Sequence, residues 1–219
     1  DDGVWGNYVG DLDANGLRCG RGEMTCEDGG RYDGQWNDDV MEGRGAYWHA
    51  NGDTYKGEFK DDKREGRGTL KYVNGDIYEG EFRDEKMEGR GIYRFVSGDT
   101  YEGEFNDNKI EGEGTCRYAN GDAHEGEYKN DKREGKGIYR YADGRVEIGV
   151  CRDEKATGEG VRWSKDRQEA WRLSHGVNHG AIRLSVAKSM ASRLGFSQIE
   201  SILLNRVTSS ENFSRGIDP

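Results

Sequence analysis

Residues 55–77 read YKGEFKDDKREGRGTLKYVNGDI, and residues 78–100 read YEGEFRDEKMEGRGIYRFVSGDT. The second stretch restates the first with a period of 23, and self-similarity at a fixed period of this size marks a repeat architecture. Outward from these two copies, Tyr32, Tyr55, Tyr78 and Tyr101 stand 23 apart, and His124 and Glu147 take the next two places. Gly34, Gly57, Gly80, Gly103, Gly126 and Gly149 each follow by two residues. A ring column of Trp36, Phe59, Phe82, Phe105 and Tyr128 comes two further on and ends at Cys151. Paired glycines run from Gly43/Gly45 through Gly66/Gly68 and Gly89/Gly91 to Gly158/Gly160, and turn glycines recur at Gly52, Gly75, Gly98, Gly121 and Gly144. Tyr8-Val9-Gly10 with Gly20/Gly22 makes a first copy with one extra loop residue, and Trp171-Arg172-Leu173 begins an eighth that is not completed.

Each copy reads as two short strands. Tyr55–Phe59 alternates apolar or small with charged residues, a polar loop covers 60–65, and Gly68–Tyr72 alternates again, so the period is 2 throughout. Asn74-Gly75-Asp76 then turns the chain into the next copy. The expected fold is all-β: an elongated, trough-like, single-layer antiparallel sheet of tandem hairpins over residues 1–173. A short helical cap follows over 174–207, then a flexible tail over 208–219. A three-residue turn pairs Tyr72 with Tyr78 and Lys71 with Glu79; by the repeat, Arg94 faces Glu102, Arg117 faces Glu125 and Trp48 meets Lys56. One face is then aromatic over a glycine floor, and the other carries opposite charges that set register more than stability.

Composition agrees with a thin repeat. Gly is 35 of 219 residues, Pro is 1, and only 32% of the chain is apolar, with a mean hydropathy of −1.07. A single compact core of this size needs more apolar residues, whereas a repeat buries surface between neighbours. Twelve Tyr, six Phe and five Trp argue against disorder. Of the net charge of −10, residues 174–219 contribute +2, which leaves an acidic body that repels phosphate backbones and anionic lipid. Nucleic acid is therefore not an expected partner. Cys19, Cys26, Cys116 and Cys151 lack metal-type spacing and read as reduced packing residues. The chain begins at Asp1 rather than Met, which leaves targeting and a leader peptide undecided.

Tyr-x-Gly-x-Phe, then Gly-x-Gly and Asn-Gly-Asp on a 23-residue period, resembles the MORN (membrane occupation and recognition nexus) repeat over residues 8–173. The resemblance implies a single-sheet trough, a scaffolding role, and in some members a partner helix or peptide along the groove. It also implies an intracellular place beside cytoskeletal or organelle structures, and a proposed lipid interaction. His124, Glu147 and Cys151 depart from the pattern in the sixth and seventh copies. MORN arrays also precede catalytic domains, but the 48 residues after Trp171 fit none.

Residues 185–194 read as a helix capped by Ser185, with Val186, Ala187, Met190, Ala191 and Leu194 as its apolar stripe and Gly195 beyond its end. A second helix starts at Ser197 with Ile199, Ile202, Leu203 and Val207 on one face. Both are expected to cover the open edge or trough end of the last copy. Asp11-Leu12-Asp13-Ala14-Asn15-Gly16 opens like a calcium loop but has Gly22 where the twelfth-position Glu belongs, and reads as a plain turn. His175 and His179 lack a third ligand. No catalytic group, metal or cofactor is expected. The expected function is a non-catalytic protein-interaction scaffold whose groove is lined by Tyr32, Trp36, Tyr55, Phe59, Tyr78, Phe82, Tyr101 and Phe105, with a helix, an extended peptide or neighbouring subunits as partner. A peripheral phospholipid-binding module and the accessory region of a larger enzyme are the alternatives.

Overall fold

A computed structural model of the protein describes residues 6–204. The expectations for Val207 and for the tail 208–219 lie outside them. Among the described residues, sixteen strands follow one another in a single open antiparallel sheet, each paired with its sequence neighbours. They are β1 Asn7–Leu12, β2 Arg18–Thr25, β3 Arg31–Asn37, β4 Val40–Trp48, β5 Thr54–Lys60, β6 Lys63–Lys71, β7 Ile77–Arg83, β8 Lys86–Arg94, β9 Thr100–Asn106, β10 Lys109–Arg117, β11 Ala123–Lys129, β12 Lys132–Arg140, β13 Val146–Arg152, β14 Lys155–Trp163, β15 Ala170–Ser174 and β16 Val177–Ile182. Two helices follow, α1 Leu184–Arg193 and α2 Ile199–Leu204. The chain forms two compact units: residues up to 119 with 128–132, and residues 120–127 with 133 onward.

The loop expected at 60–65 is shorter. Asp61 and Asp62 alone turn the chain, at φ 49° and 64°, and Lys63 already belongs to β6. Two successive positive-φ residues make the hairpin turn whose twist matches the strands, and Asp and Asn tolerate it better than most side chains. Asp38/Asp39, Asp84/Glu85, Asp107/Asn108, Asn130/Asp131 and Asp153/Glu154 repeat the device. The second residue of each turn also reaches back one copy: the Met41, Met87 and Ile110 amides donate to Asp62, Asn108 and Asp131 at 2.7, 2.9 and 2.8 Å.

At the opposite edge the turn is longer than expected. Tyr72 N–H donates to the Asp76 carbonyl at 2.9 Å and Gly75 N–H to the Tyr72 carbonyl at 3.0 Å, so five residues lie between paired Lys71 and Ile77. Leu70 therefore faces Tyr78 and Thr69 faces Glu79, two residues away from the expected Tyr72–Tyr78 and Lys71–Glu79 pairs. Trp48 faces Thr54, not Lys56, and Arg94 faces Thr100, not Glu102. The loop remains odd, so each residue keeps its expected face, but the ion pairs form on other strands. Arg94 meets Glu79 at 3.1 Å, Arg117 meets Glu102 at 3.6 Å, and Glu125 is met by Arg140 at 3.8 Å.

The carboxylates of these longer turns also lace the edge. Asp53, Asp76 and Asp99 accept the Val73, Val96 and Ala119 amides, each at 2.8 Å and twenty residues on. Much of the acidic composition thus caps backbone donors that would otherwise need water.

The eighth copy is complete, against expectation. His175 and Gly176, both at positive φ, turn β15 into β16, so the sheet runs to Ile182. Its missing Gly-x-Gly pair hid it. α1 starts one residue early from Arg183 without a side-chain cap, leaves Val186 44% exposed, and ends before Gly195 at φ 83°. The helices cover neither the last edge nor the trough end. Ala187, Met190, Ala191, Phe196 and Leu203 pack on Ile138, Val146, Ile148, Val161, Trp163 and Ala170. Those strand residues alternate with Tyr139, Glu147 and Arg162 and therefore project from the opposite, back face. Earlier copies carry Lys56, Glu79, Glu102 and Glu125 at the Ile148 place and Lys71, Arg94 and Arg117 at the Trp163 place, so here the back face presents apolar groups that need cover. Arg140 and Arg167 donate to the Ile202 and Leu203 carbonyls, at 2.7 and 3.1 Å, at the end of α2.

Candidate functional site

Within the first unit each repeat tyrosine lies flat over two glycines. A Cβ on Gly80 would come 2.6 Å from Tyr78 Cζ and 2.6 Å from the Gly91 Cα, so only bare backbone leaves room for the ring. The hydroxyls of Tyr32, Tyr55 and Tyr78 reach past the glycines and donate to the Gln35, Glu58 and Glu81 carbonyls at 2.9, 3.0 and 2.9 Å. Burial pushes their pKa values well up from the usual phenol range.

The rings then interlock. Tyr55 meets Phe59 of its own copy at 5.1 Å and Phe82 of the next at 5.0 Å, both edge to face, and Tyr78 meets Phe82 and Phe105 at 5.2 and 4.9 Å. Tyr32–Trp36, Tyr32–Phe59 and Tyr101–Phe105 continue the zigzag. The eight residues expected to line a groove are thus brought into one row, and none exceeds 5% exposure. They form the floor and core of this face, packed by one another.

A second tier stands on that floor. Tyr47, Tyr72 and Tyr93 pack against it half-buried. Tyr47 stacks on His49 at 4.5 Å, Tyr93 on Phe95 at 4.5 Å, and Tyr72 lies 6.0 Å from Tyr93. His49, Tyr72 and Phe95 are themselves 23 residues apart, a column legible in the sequence once the first ring column is recognised as core. Beside them Val73 and Val96 are each 71% exposed.

Where Leu70 replaces the tyrosine of Tyr47 and Tyr93, a cavity of about 360 Å³ opens, lined by His49, Asp53, Arg64, Leu70, Tyr72 and Glu85 among others. Arg64 lies across it, paired with Glu85 at 2.8 Å, its guanidinium 5.5 Å from the Phe82 ring. Burial and then the Arg64 charge lower the His49 pKa, so that imidazole is neutral at pH 7. The Asp76 carboxylate accepts the Val96 amide and the Tyr93 hydroxyl, the latter at 3.0 Å, and its pKa is lowered by the Val96 amide first.

In the second unit the row breaks. His124 sits over Gly137 in the tyrosine place, and its pKa is pushed down to about 4 by burial first and then by Arg133. Glu147 takes the next place and pairs with Arg162 at 2.7 Å. The other candidates are accounted for locally. Asp13 accepts the Asn15 and Leu17 amides at 2.8 Å each, as an Asx turn does. His175 is a turn residue bonded to Ser174 at 3.1 Å. All four cysteines are free thiols. Among the described residues no group of three or more His, Cys, Asp or Glu is placed to hold a metal ion, and no helix is long and apolar enough to cross a membrane.

None of the curated proteins matches the chain. Among solved structures it is similar to the G-box domain of the microcephaly protein CPAP, at 14% identity over 81% of this chain and 98% of that one, with a TM-score of 0.51. It is also similar to the TCP domain of Drosophila melanogaster SAS-4 in complex with a proline-rich motif of Ana2, at 15% identity over 76% of this chain and 89% of that one, with a TM-score of 0.49. At these identities the likeness concerns the open single sheet and not what it binds. The MORN repeat model matches residues 14–31, 32–54, 55–77, 78–100, 101–123 and 124–144 in unbroken succession. With the Tyr-over-glycine floor, the interlocked rings and the paired turns repeating in the same register, the chain belongs to the MORN repeat family.

Proposed function

We propose that the chain is a non-catalytic protein-interaction module of a larger intracellular assembly, and that the aromatic face of its first unit holds the partner. The observation that carries this is the second tier, half-buried Tyr72 and exposed Phe95 with the cavity at Leu70, above a floor already complete without it. Apolar surface that internal packing does not need usually meets something. Tyr32, Trp36, Tyr55, Phe59, Tyr78, Phe82, Tyr101 and Phe105 act as the rigid base on which those contacts are set. Basic loop residues give little pull toward anionic lipid, because Lys63 and Lys86 are paired with Asp84 and Asp107 at the hairpin tips.

The test is partner retention by folded variants. Tyr72→Ala and Phe95→Ala on the aromatic face are compared with Glu79→Lys and Glu102→Lys on the back face, with circular dichroism establishing the fold of each. Loss of partner in the first pair alone supports the reading. Loss in the second pair alone assigns binding to the back face.

A further inference from the structure

The dimensions of the aromatic face select among partner conformations. Neighbouring strands lie about 4.8 Å apart, so each two-strand copy advances about 9.6 Å across the strands. A polyproline II helix repeats every three residues and rises about 3.1 Å per residue, or about 9.3 Å per turn. An α-helix turn of about 5.4 Å and a two-residue strand repeat of about 6.8 Å do not divide the copy spacing. A polyproline II segment lying across the strands therefore presents the same face to His49, Tyr72 and Phe95 in succession, one turn per copy. Aromatic-lined grooves suit this conformation because its backbone is already extended and loses little entropy on docking.

The charge along the same line is negative. Asp53, Asp76 and Asp99 recur once per copy at the turn beside these rings. In the cavity at Leu70, Arg64 is already held by Glu85, which leaves the Asp53 charge uncompensated beside the Tyr72 ring. A guanidinium or ammonium group entering there meets a carboxylate and an aromatic ring together.

We infer that the partner of the first unit is a basic proline-rich segment in the polyproline II conformation, with one three-residue turn seated on each copy and an Arg or Lys side chain in the cavity between Asp53 and Tyr72. This deepens the proposed function and rests on its assignment of the aromatic face.

The test measures fluorescence anisotropy of labelled peptides of about twelve residues with the full chain. The peptides are Pro-Pro-Arg triplets, the same composition with the arginines gathered at one end, Pro-Pro-Glu triplets, and a basic amphipathic helix former. The triplet peptide is expected to bind most tightly, with Pro-Pro-Glu weaker by about tenfold or more. Tyr72→Ala is expected to weaken the triplet about tenfold, and Asp53→Asn, which keeps the side chain's acceptor oxygen, about threefold. Equal binding of triplet and gathered peptides reduces the effect to bulk charge and overturns the inference. Tighter binding of the helix former, lost with Tyr72→Ala, overturns the inference while sparing the aromatic face as the binding surface. Absence of binding by all four peptides to a folded chain also overturns it. The broader reading then stands or falls on the partner-retention test.

Discussion

Gly80→Ala adds one methyl group beneath a fully enclosed ring of the first unit. Tyr78 has no exposed surface, and the new Cβ would stand 2.6 Å from its Cζ and 2.6 Å from the Gly91 Cα. The ring cannot lift freely, because Phe82 and Phe105 hold it edge-on at 5.2 and 4.9 Å. Overpacking of this kind costs about 1–3 kcal/mol. Displacing the hydroxyl from the Glu81 carbonyl adds about 1 kcal/mol, for a total of about 2–4 kcal/mol. The same repeat position supplies its own control. At Gly149, where Glu147 replaces the tyrosine, a Cβ would find its nearest neighbours 3.9 Å away. Gly149→Ala should therefore be neutral, or stabilising by about 0.4–1 kcal/mol through the unfolded chain. Two compact units make a single global transition an unsafe readout, so amide hydrogen exchange is followed separately in β7–β8 and β13–β14. Equal losses at the two glycines would show that the tyrosine does not set the requirement for bare backbone.

Tyr78→Phe keeps the ring and removes only the hydroxyl bond to Glu81, so β7–β8 should lose about 1 kcal/mol in the same exchange assay, well below the loss for Gly80→Ala. His124, with a folded pKa of about 4 against an unfolded value near 6.5, stabilises the second unit fully above pH 6.5, and that contribution is lost as pH falls toward 4. The loss is on the order of 3 kcal/mol, and His124→Leu should flatten exchange against pH in β11–β12 over that window. Asp39 and Asp76 have lowered pKa values, set first by the Arg18 and Val96 amides, so their contribution is present above about pH 4 and disappears below it; Asp76→Asn should reduce the acid sensitivity of the first unit. Phosphatidylserine vesicles at physiological salt should sediment little of the protein, and strong headgroup-selective pelleting would move the reading to a lipid surface.

The fold was legible because its marks are redundant. Tyr, Gly, ring, Gly-x-Gly and turn glycine all recur at one spacing, and alternation by two can only place them on a sheet. What was not legible depended on backbone bonds that side-chain type does not encode. Whether Asn74-Gly75-Asp76 closes as a three- or five-residue loop preserves every face, so apolar patterning was blind to the difference. The hairpin tips lack glycine, and Asp61-Asp62 read as solvated loop although both residues take positive φ. The eighth copy lost its glycine signature, with Leu173 opposite Gly160, and so was cut short. The position of the helices follows from Ile148 and Trp163 replacing the back-face Lys, Glu and Arg of earlier copies, a shift visible in the sequence to a reader comparing copies position by position. The candidate site was half legible. The first ring column is plain in the sequence, but its rings saturate one another, and exposed surface lies instead at Tyr72 and Phe95 with Val73 and Val96 beside them.

Hydroxyl-radical footprinting of the purified native complex, read by mass spectrometry against the free protein, tests the aromatic face most directly, because it needs no variant that perturbs folding. Tyr72, Val73, Phe95 and Val96 should lose labelling in the complex, while Trp48, on the opposite face and 36% exposed, keeps it. Protection of Trp48 with unchanged labelling of Tyr72 and Phe95 would place the partner on the charged back face and contradict the account.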